Sequence, residues 1–436
     1  MSDFNKFKKY VFPNILSMLG SSCYVLVDTL FITMIGDNAL AALNICLPIY
    51  SICMGIGSFL SVGASTHYSI LKARGKTEEG SKFFTFSLTS GLICTSIMAV
   101  LILLFKRDVC YMLGANEETI DLCVQYFNAY VSLSPFVVLQ YIILSFIRND
   151  GDPKLASIAA LSGSLFNLTF DYFFIFTLDL GMFGAALATG LSPVVSLLVC
   201  SSYFFKKKNN FHIVKESIKL TIFKDIQKLG MPTFINSFSS GIVMLAFNKQ
   251  LVNIGGNKAV TAYGIIVNIS VVIEYLMNGV SEGSQPLISE SYGQKKFKQI
   301  YSYLKMAIMM VIVIFVLGIV LDLGFGTYII NFFNSSKDIQ LLDMTKKGMF
   351  IYFFGLLGYG LISIFMIYFT SVEDPKPSNI LAILKAGVVI TPIVVILPTY
   401  LGLDGVWLSF PISQFIIMFV GIVFVKKSKV FINMIK

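Results

Sequence analysis

Long apolar runs recur along nearly the whole chain, and no water-soluble core has room for them. An α-helix rises 1.5 Å per residue, so ~20 apolar residues cross ~30 Å of hydrocarbon. Runs of that size fall near 11–35, 44–71, 83–105, 119–147, 155–178 and 182–205. A second set falls near 231–254, 259–289, 300–333, 346–370, 378–400 and 403–425. The chain is 56% hydrophobic and 13% charged, against ~25% charged for an ordinary soluble domain. The bilayer therefore has to be its solvent, and in lipid every backbone N–H and C=O must be paired within the protein. The expected fold is an all-α polytopic membrane protein with twelve transmembrane helices.

The charges between the runs set an orientation. The net charge is +9 over 436 residues, which on a folded soluble surface would point to nucleic acid. Here the charges sit in short connections, and that excludes a nucleic-acid partner. Lys6, Lys8 and Lys9 precede the first span, and Lys72, Arg74, Lys76 and Lys82 follow the second. The middle connection carries Lys206, Lys207, Lys208, Lys215, Lys219, Lys224 and Lys228. Lys295, Lys296, Lys298 and Lys305 follow the eighth span, and Lys426, Lys427, Lys429 and Lys436 lie in the tail. The alternate connections, among them Gly255–Lys258, Asn334–Lys347 and Leu401–Asp404, are poor in Lys and Arg. The positive-inside rule places the rich side in the cytoplasm. Both termini are then cytoplasmic, as an even number of spans requires, and the chain is expected in the inner, cytoplasmic membrane. Met1–Tyr10 is short, polar and basic, and the run behind it is too long for a signal peptide.

Seven cysteines and two histidines offer neither a CxxC pair nor a clustered His set, so neither a disulfide framework nor a zinc site is expected. The longest loop, near 206–230, is basic and holds no cluster of acids of the kind an embedded enzyme would want, and the chain is read as a non-enzyme.

The two halves repeat. Pro13 recurs as Pro232, and Gly36-Asp37-Asn38 as Gly255-Gly256-Asn257. Asp152-Pro153-Lys154 recurs as Asp374-Pro375-Lys376, and Leu180-Gly181 through Gly184 as Leu401-Gly402 through Gly405. Each half holds an even number of spans, so both halves point the same way. This predicts two parallel six-helix lobes with a pseudo-two-fold axis along the membrane normal. The expected divisions are 1–205 for the first lobe, 206–230 for a basic linker and 231–436 for the second lobe. Repeat-built transporters bind their substrates between or within the repeats, near the midplane.

Buried polar residues are the functional candidates, because a charge at the bilayer centre costs at least ~2.5–3.5 kcal/mol. Asp28 lies mid-span in the first run. Asn167 and Asp171 are one helical turn apart in the fifth, so they share a face. Thr189 lies in the sixth run, and Tyr126 and Tyr130 are one turn apart in the fourth. Two acids in one pocket can hold a proton or chelate Na⁺ with oxygen donors from Asn and Thr; the alternative is that they only pin helices. Glu274, Glu282 and Gln285 lie in the eighth run with Asn268, and Lys249 and Lys385 in the seventh and eleventh. Tyr130, Glu274, Gln285 and Asn268 are candidates for substrate contact.

The chain resembles the multidrug and toxic compound extrusion (MATE) family, in its MepA-like or DinF-like group. The resemblance runs over essentially the whole length. Its segments are Pro13 followed by Val27-Asp28-Thr29, Arg148 through Lys154, Asn167-Leu168-Thr169-Phe170-Asp171, Gly181 through Thr189, and Gln285-Pro286-Leu287-Ile288-Ser289. It implies two lobes in a V that rock between inward- and outward-open states. It also implies a cation-coupling network of Asp28, Asn167, Asp171, Thr189 and Tyr126, with Pro13 as a bend in the first helix. Na⁺ at Asp28, Asn167 and Asp171 is the only metal this leaves open.

The resulting expectation is a secondary antiporter that exports lipophilic or cationic drugs and toxic metabolites in exchange for H⁺ or Na⁺. It would have no cofactor beyond that ion, and would act as a monomer with the bilayer and small cationic or amphiphilic molecules as partners. The alternative is a flippase for lipid-linked glycans. Such a protein should line its cavity with arginines, and Arg74, Arg107 and Arg148 all lie outside mid-span.

Overall fold

The computed structural model describes residues 2–215, 220–333 and 338–435, and among these residues there is no β-strand. Lys219, Asn334 and Lys436, named above among the loop residues, lie outside the described residues. The first half runs α1 (Asp3–Ile35), α2 (Asp37–Ala73), α3 (Thr77–Leu104), α4 (Lys106–Met112), α5 (Ile120–Asp150), α6 (Pro153–Tyr172) and α7 (Gly181–Phe205). The second runs α8 (Leu220–Gly293), α9 (Phe297–Phe333), α10 (Ile339–Ser371), α11 (Pro375–Ile383), α12 (Ile390–Lys427) and α13 (Lys429–Ile435). A π-helical turn follows α6 at Phe173–Thr177, and another joins α11 to α12 at Leu384–Val388.

Among the described residues, ten continuous helical stretches are long and apolar enough to cross a membrane. Two of them hold two spans each. In α8 the helix reverses at Gly256, with φ 63° and ψ −160°, a region essentially restricted to glycine. The reversal brings the Phe247 and Tyr263 rings to 4.9 Å, although a straight helix would part residues at that spacing by about 24 Å. Gly402, with φ 56° and ψ −135°, breaks α12 in the same way. The expected connections at Gly255–Lys258 and Leu401–Asp404 are thus turns made at a single glycine. Twelve spans result, and the chain is a multi-pass membrane protein.

The outer surface fits this solvent. On α3, Ile93, Ile97, Val100 and Leu104 are all exposed at helical spacing, a stripe that in water would drive aggregation and in lipid is the expected face. The helix ends are set locally. Asp152 caps α6 by accepting from Leu155 N at 3.1 Å with Pro153 in the first turn, so the Asp-Pro pair acts as a start signal. The repeated Asp374-Pro375 pair starts α11 in the same position, without the side-chain cap.

By internal contacts the chain forms two compact units. One is Leu16–Ser237; the other joins Met1–Ile15 to Phe238–Lys436. Each half's first span changes unit close to its proline, Pro13 in α1 and Pro232 in α8. Inside the second of these units, residues 11–15 lie tightly on α8. A Cβ at Gly283 would stand 2.9 Å from Val11 Cα, and Asn14 Nδ2 donates to Gly279 O at 2.8 Å. Inside the other, the start of α8 lies on α2 just as closely, with a Cβ at Gly63 only 2.5 Å from Ile226 O. Small residues let backbones approach where lipid gives no hydrophobic drive for helix association.

The basic segment after α7 is better anchored than its composition implies. Asp150, at the end of α5, accepts from Tyr68 Oη at 2.5 Å, Lys72 Nζ at 2.5 Å, Tyr203 Oη at 2.8 Å and Asn210 N at 2.8 Å. Phe211 is fully buried among the rings of Tyr68, Phe84 and Phe146. Replacing Asp150 with Ala strands these donors, and is expected to destabilise the unit by about 2–4 kcal/mol. The measurements are a lowered midpoint of thermal unfolding in detergent and faster tryptic cleavage at Lys206–Lys208; an unchanged midpoint and cleavage rate would contradict the anchoring role.

Candidate functional site

Asn167 and Asp171 both stand on the inner face of α6 and are fully buried. Their spacing of one turn stacks them, as the sequence reading expected. With its amide oriented to suit its neighbours, Asn167 donates to Asp171 Oδ2 at 3.0 Å and accepts from Thr189 N at 3.2 Å. The Thr189 hydroxyl itself donates back to Ala185 O at 3.1 Å within α7. Asn167 is therefore a rigid spacer between α6 and α7 that fixes where the Asp171 carboxyl points. Immediately beyond Asp171 the helix widens into the π turn Phe173–Thr177, a local irregularity often found at functional sites.

Asp28 arrives from α1, and the two carboxyl groups stand within hydrogen-bond reach of one another. Asp28 is half-buried, yet its Oδ1 is sealed from solvent, and Oδ1 of each acid lacks a hydrogen-bond partner among the described residues. Tyr126 of α5 is buried within electrostatic reach of both acids. It stacks on Tyr130 with ring centroids 5.6 Å apart, and Tyr130 lies 5.4 Å from Tyr50 of α2. Tyr24 and Tyr50 bring their hydroxyls to 3.4 Å. A wall of tyrosines thus runs on from Tyr126 beside the acid pair.

Two carboxylates in contact cannot both carry an unscreened charge here. At ~4 Å separation and an effective dielectric of ~20, like charges repel by ~4 kcal/mol. One proton or small cation shared between them would relieve that repulsion. Among the described residues no group of three or more His, Cys, Asp or Glu side chains forms a metal site. The Asn167 side chain presents N–H toward Asp171, and its oxygen is taken up by Thr189 N.

The structure thus brings together Asp28, Asn167, Asp171, Thr189, Tyr126 and Tyr130. The remaining candidates belong to the other unit. Glu274 is half-buried on α8, and Asn268 is exposed on the same helix. Gln285 is buried, its side chain donating to Ser289 Oγ at 3.4 Å. Pro13 is half-buried within the continuous helix α1, and Glu282 is also half-buried. Lys249 is exposed, whereas Lys385 is buried opposite Glu274. Tyr24 and Tyr50 escaped the sequence reading, since nothing marks them among 20 tyrosines until the helices are packed.

The MatE family model matches residues 13–173 and again residues 232–396, once in each half. The multidrug export protein MepA of Staphylococcus saprophyticus is 30% identical over 406 residues, covering 92% of this chain and 89% of that protein. The protein of the same name from Staphylococcus aureus is 30% identical over 423 residues, covering 94% and 91%. Among solved structures, an outward-facing multidrug resistance MATE family transporter of the MOP superfamily superimposes with a TM-score of 0.92 at 22% identity, over 97% of this chain and 95% of that one. A MOP superfamily transporter from Pyrococcus furiosus gives 0.90 at 22% identity, over 97% and 95%. These likenesses support the twelve-helix, two-lobe fold. The match of one family model to both halves accounts for the internal repeat, and the chain belongs to the MatE family.

Proposed function

We propose that this protein is a secondary antiporter of the cytoplasmic membrane that exports lipophilic cations and related toxic amphiphiles in exchange for protons, by alternating access. The observation that carries this reading is the Asp28–Asp171 pair, two acids within hydrogen-bond reach inside one bundle with a sealed oxygen on each. An incoming proton bridges the pair and relieves the repulsion; its loss restores it. The energy available per proton is ~2.3 kcal/mol per 100 mV of membrane potential, plus any pH gradient. The relatives named as multidrug export proteins support the substrate class. The basic connections support cytoplasmic termini.

A proton needs only the two carboxylates that face each other, whereas Na⁺ takes several oxygen ligands.

Two outcomes test the reading. Asp28→Asn and Asp171→Asn each keep side-chain volume and remove the charge. Each should lower gradient-driven ethidium export from everted vesicles by at least about tenfold, equivalent to ~1.4 kcal/mol, while the purified protein stays monodisperse. Export at the wild-type rate in both variants would remove the coupling role. In proteoliposomes, an imposed proton gradient should drive ethidium in the opposite direction, and a Na⁺ gradient at uniform pH should not. Transport driven by Na⁺ alone would reverse the choice of ion.

A further inference from the structure

The second-lobe unit buries charges that the proton site does not use. Lys385 sits in the π turn Leu384–Val388, is only 8% exposed, and lies two residues before Gly387, whose φ is 128°. A lysine at that depth is costly and needs a partner. Its Nζ lies over the Tyr359 ring, 3.7 Å from the centroid, a close cation–π contact. Glu274 of α8 opposes it electrostatically and lies within hydrogen-bond reach of the Tyr359 side chain. One turn along α8, Asn278 Nδ2 donates to Tyr359 Oη at 3.1 Å and fixes the ring. Among the described residues, no N···O contact within 4 Å clamps Lys385 to Glu274.

An aromatic face beside a carboxylate is the arrangement that recognises an organic cation. Here an ammonium group of the protein itself fills it. The contact is made by a ring face and a through-space field, without a direct ion pair. The side chain that makes it is long, flexible and rooted in an irregular turn beside a glycine.

We propose that Tyr359 and Glu274 form a receptor for the cationic group of a lipophilic substrate, and that Lys385 is its resident surrogate, expelled when substrate enters. The proposal rests on the reading that this chain moves lipophilic cations, and it locates one binding site for them. An organic cation bound there replaces one charge by another, so Glu274 is never left buried alone. Expulsion of Lys385 couples substrate entry to movement at the junction of α11 and α12.

Ethidium binding to the purified full chain in detergent, read by fluorescence anisotropy, tests the site. Lys385→Met removes the competing ammonium at similar length and should tighten binding about tenfold. Glu274→Gln should weaken it about tenfold, and the gain from Lys385→Met should vanish in the Glu274→Gln background. Tyr359→Leu leaves both charges in place and should weaken binding about fivefold, which keeps the test open should Lys385→Met not fold. If Lys385 only pins helices, its loss lowers the thermal midpoint and leaves affinity unchanged; that result overturns the proposal, as does wild-type affinity in Tyr359→Leu. Unshifted binding in all variants with gradient-driven export intact sinks the site alone. Shifted binding without any gradient-driven export sinks the transport reading and leaves the site standing.

Discussion

A charge in hydrocarbon must be answered by another charge, and this constraint organises both halves of the molecule. Water cannot screen it, and a lone ion costs several kcal/mol. The first-lobe unit meets the constraint incompletely. Asp28 and Asp171 would carry the same sign and face each other. The second-lobe unit meets it internally, with Glu274 set against Lys385 over a tyrosine face. The first arrangement suits the proton coupling proposed above, and the second suits the proposed exchange of its own cation for a foreign one.

The helices that carry these charges are related by duplication but have not kept the same details. α6 and the α11 region both start at an Asp-Pro pair, and both contain a π turn. In α6 the π turn comes after a full 20-residue helix and just beyond Asp171, whereas in the second half it follows only 9 residues and contains Lys385. The extra residue of a π turn shifts the register of the side chains that follow. Shifting that turn along the helix changes which residue reaches the interior, so duplicated scaffolds can carry different sets of charges.

Much of the scaffold was legible in the sequence because the bilayer imposes simple rules. Length of apolar run marks a span, and charged loops bound it, so all twelve spans could be placed. The proximity of Asn167 and Asp171 followed from their spacing of four on one helix. Asp28 was identifiable as an acid in the middle of an apolar run. The Glu274–Tyr359–Lys385 cluster was not legible, because its members come from separate helices whose facing is set by packing. The tyrosine wall was hidden for the same reason. Phe211 looked like part of a hydrophilic linker, since only the ring cluster around Asp150 explains why one aromatic sits among lysines and asparagines.

The glycine placements show how little local chemistry is needed to join these parts. Gly256 and Gly402 each reverse a helix without a loop, holding α8 and α12 to turns that no other residue would adopt without strain. A reversal of this kind leaves no slack, so the two arms of α8 keep a fixed register, as the stacked Phe247 and Tyr263 show. Glu274 lies beyond that turn, on an arm whose lower half is held by the close approach of residues 11–15 at Gly279 and Gly283. Asn278, which fixes the Tyr359 ring, lies next to the first of these contacts. The carboxylate thus stands on an arm held by close backbone approach and the ring on the regular helix α10, while Lys385 is mounted on a π turn beside a left-handed glycine. Of the three groups, only the lysine stands in an irregular turn.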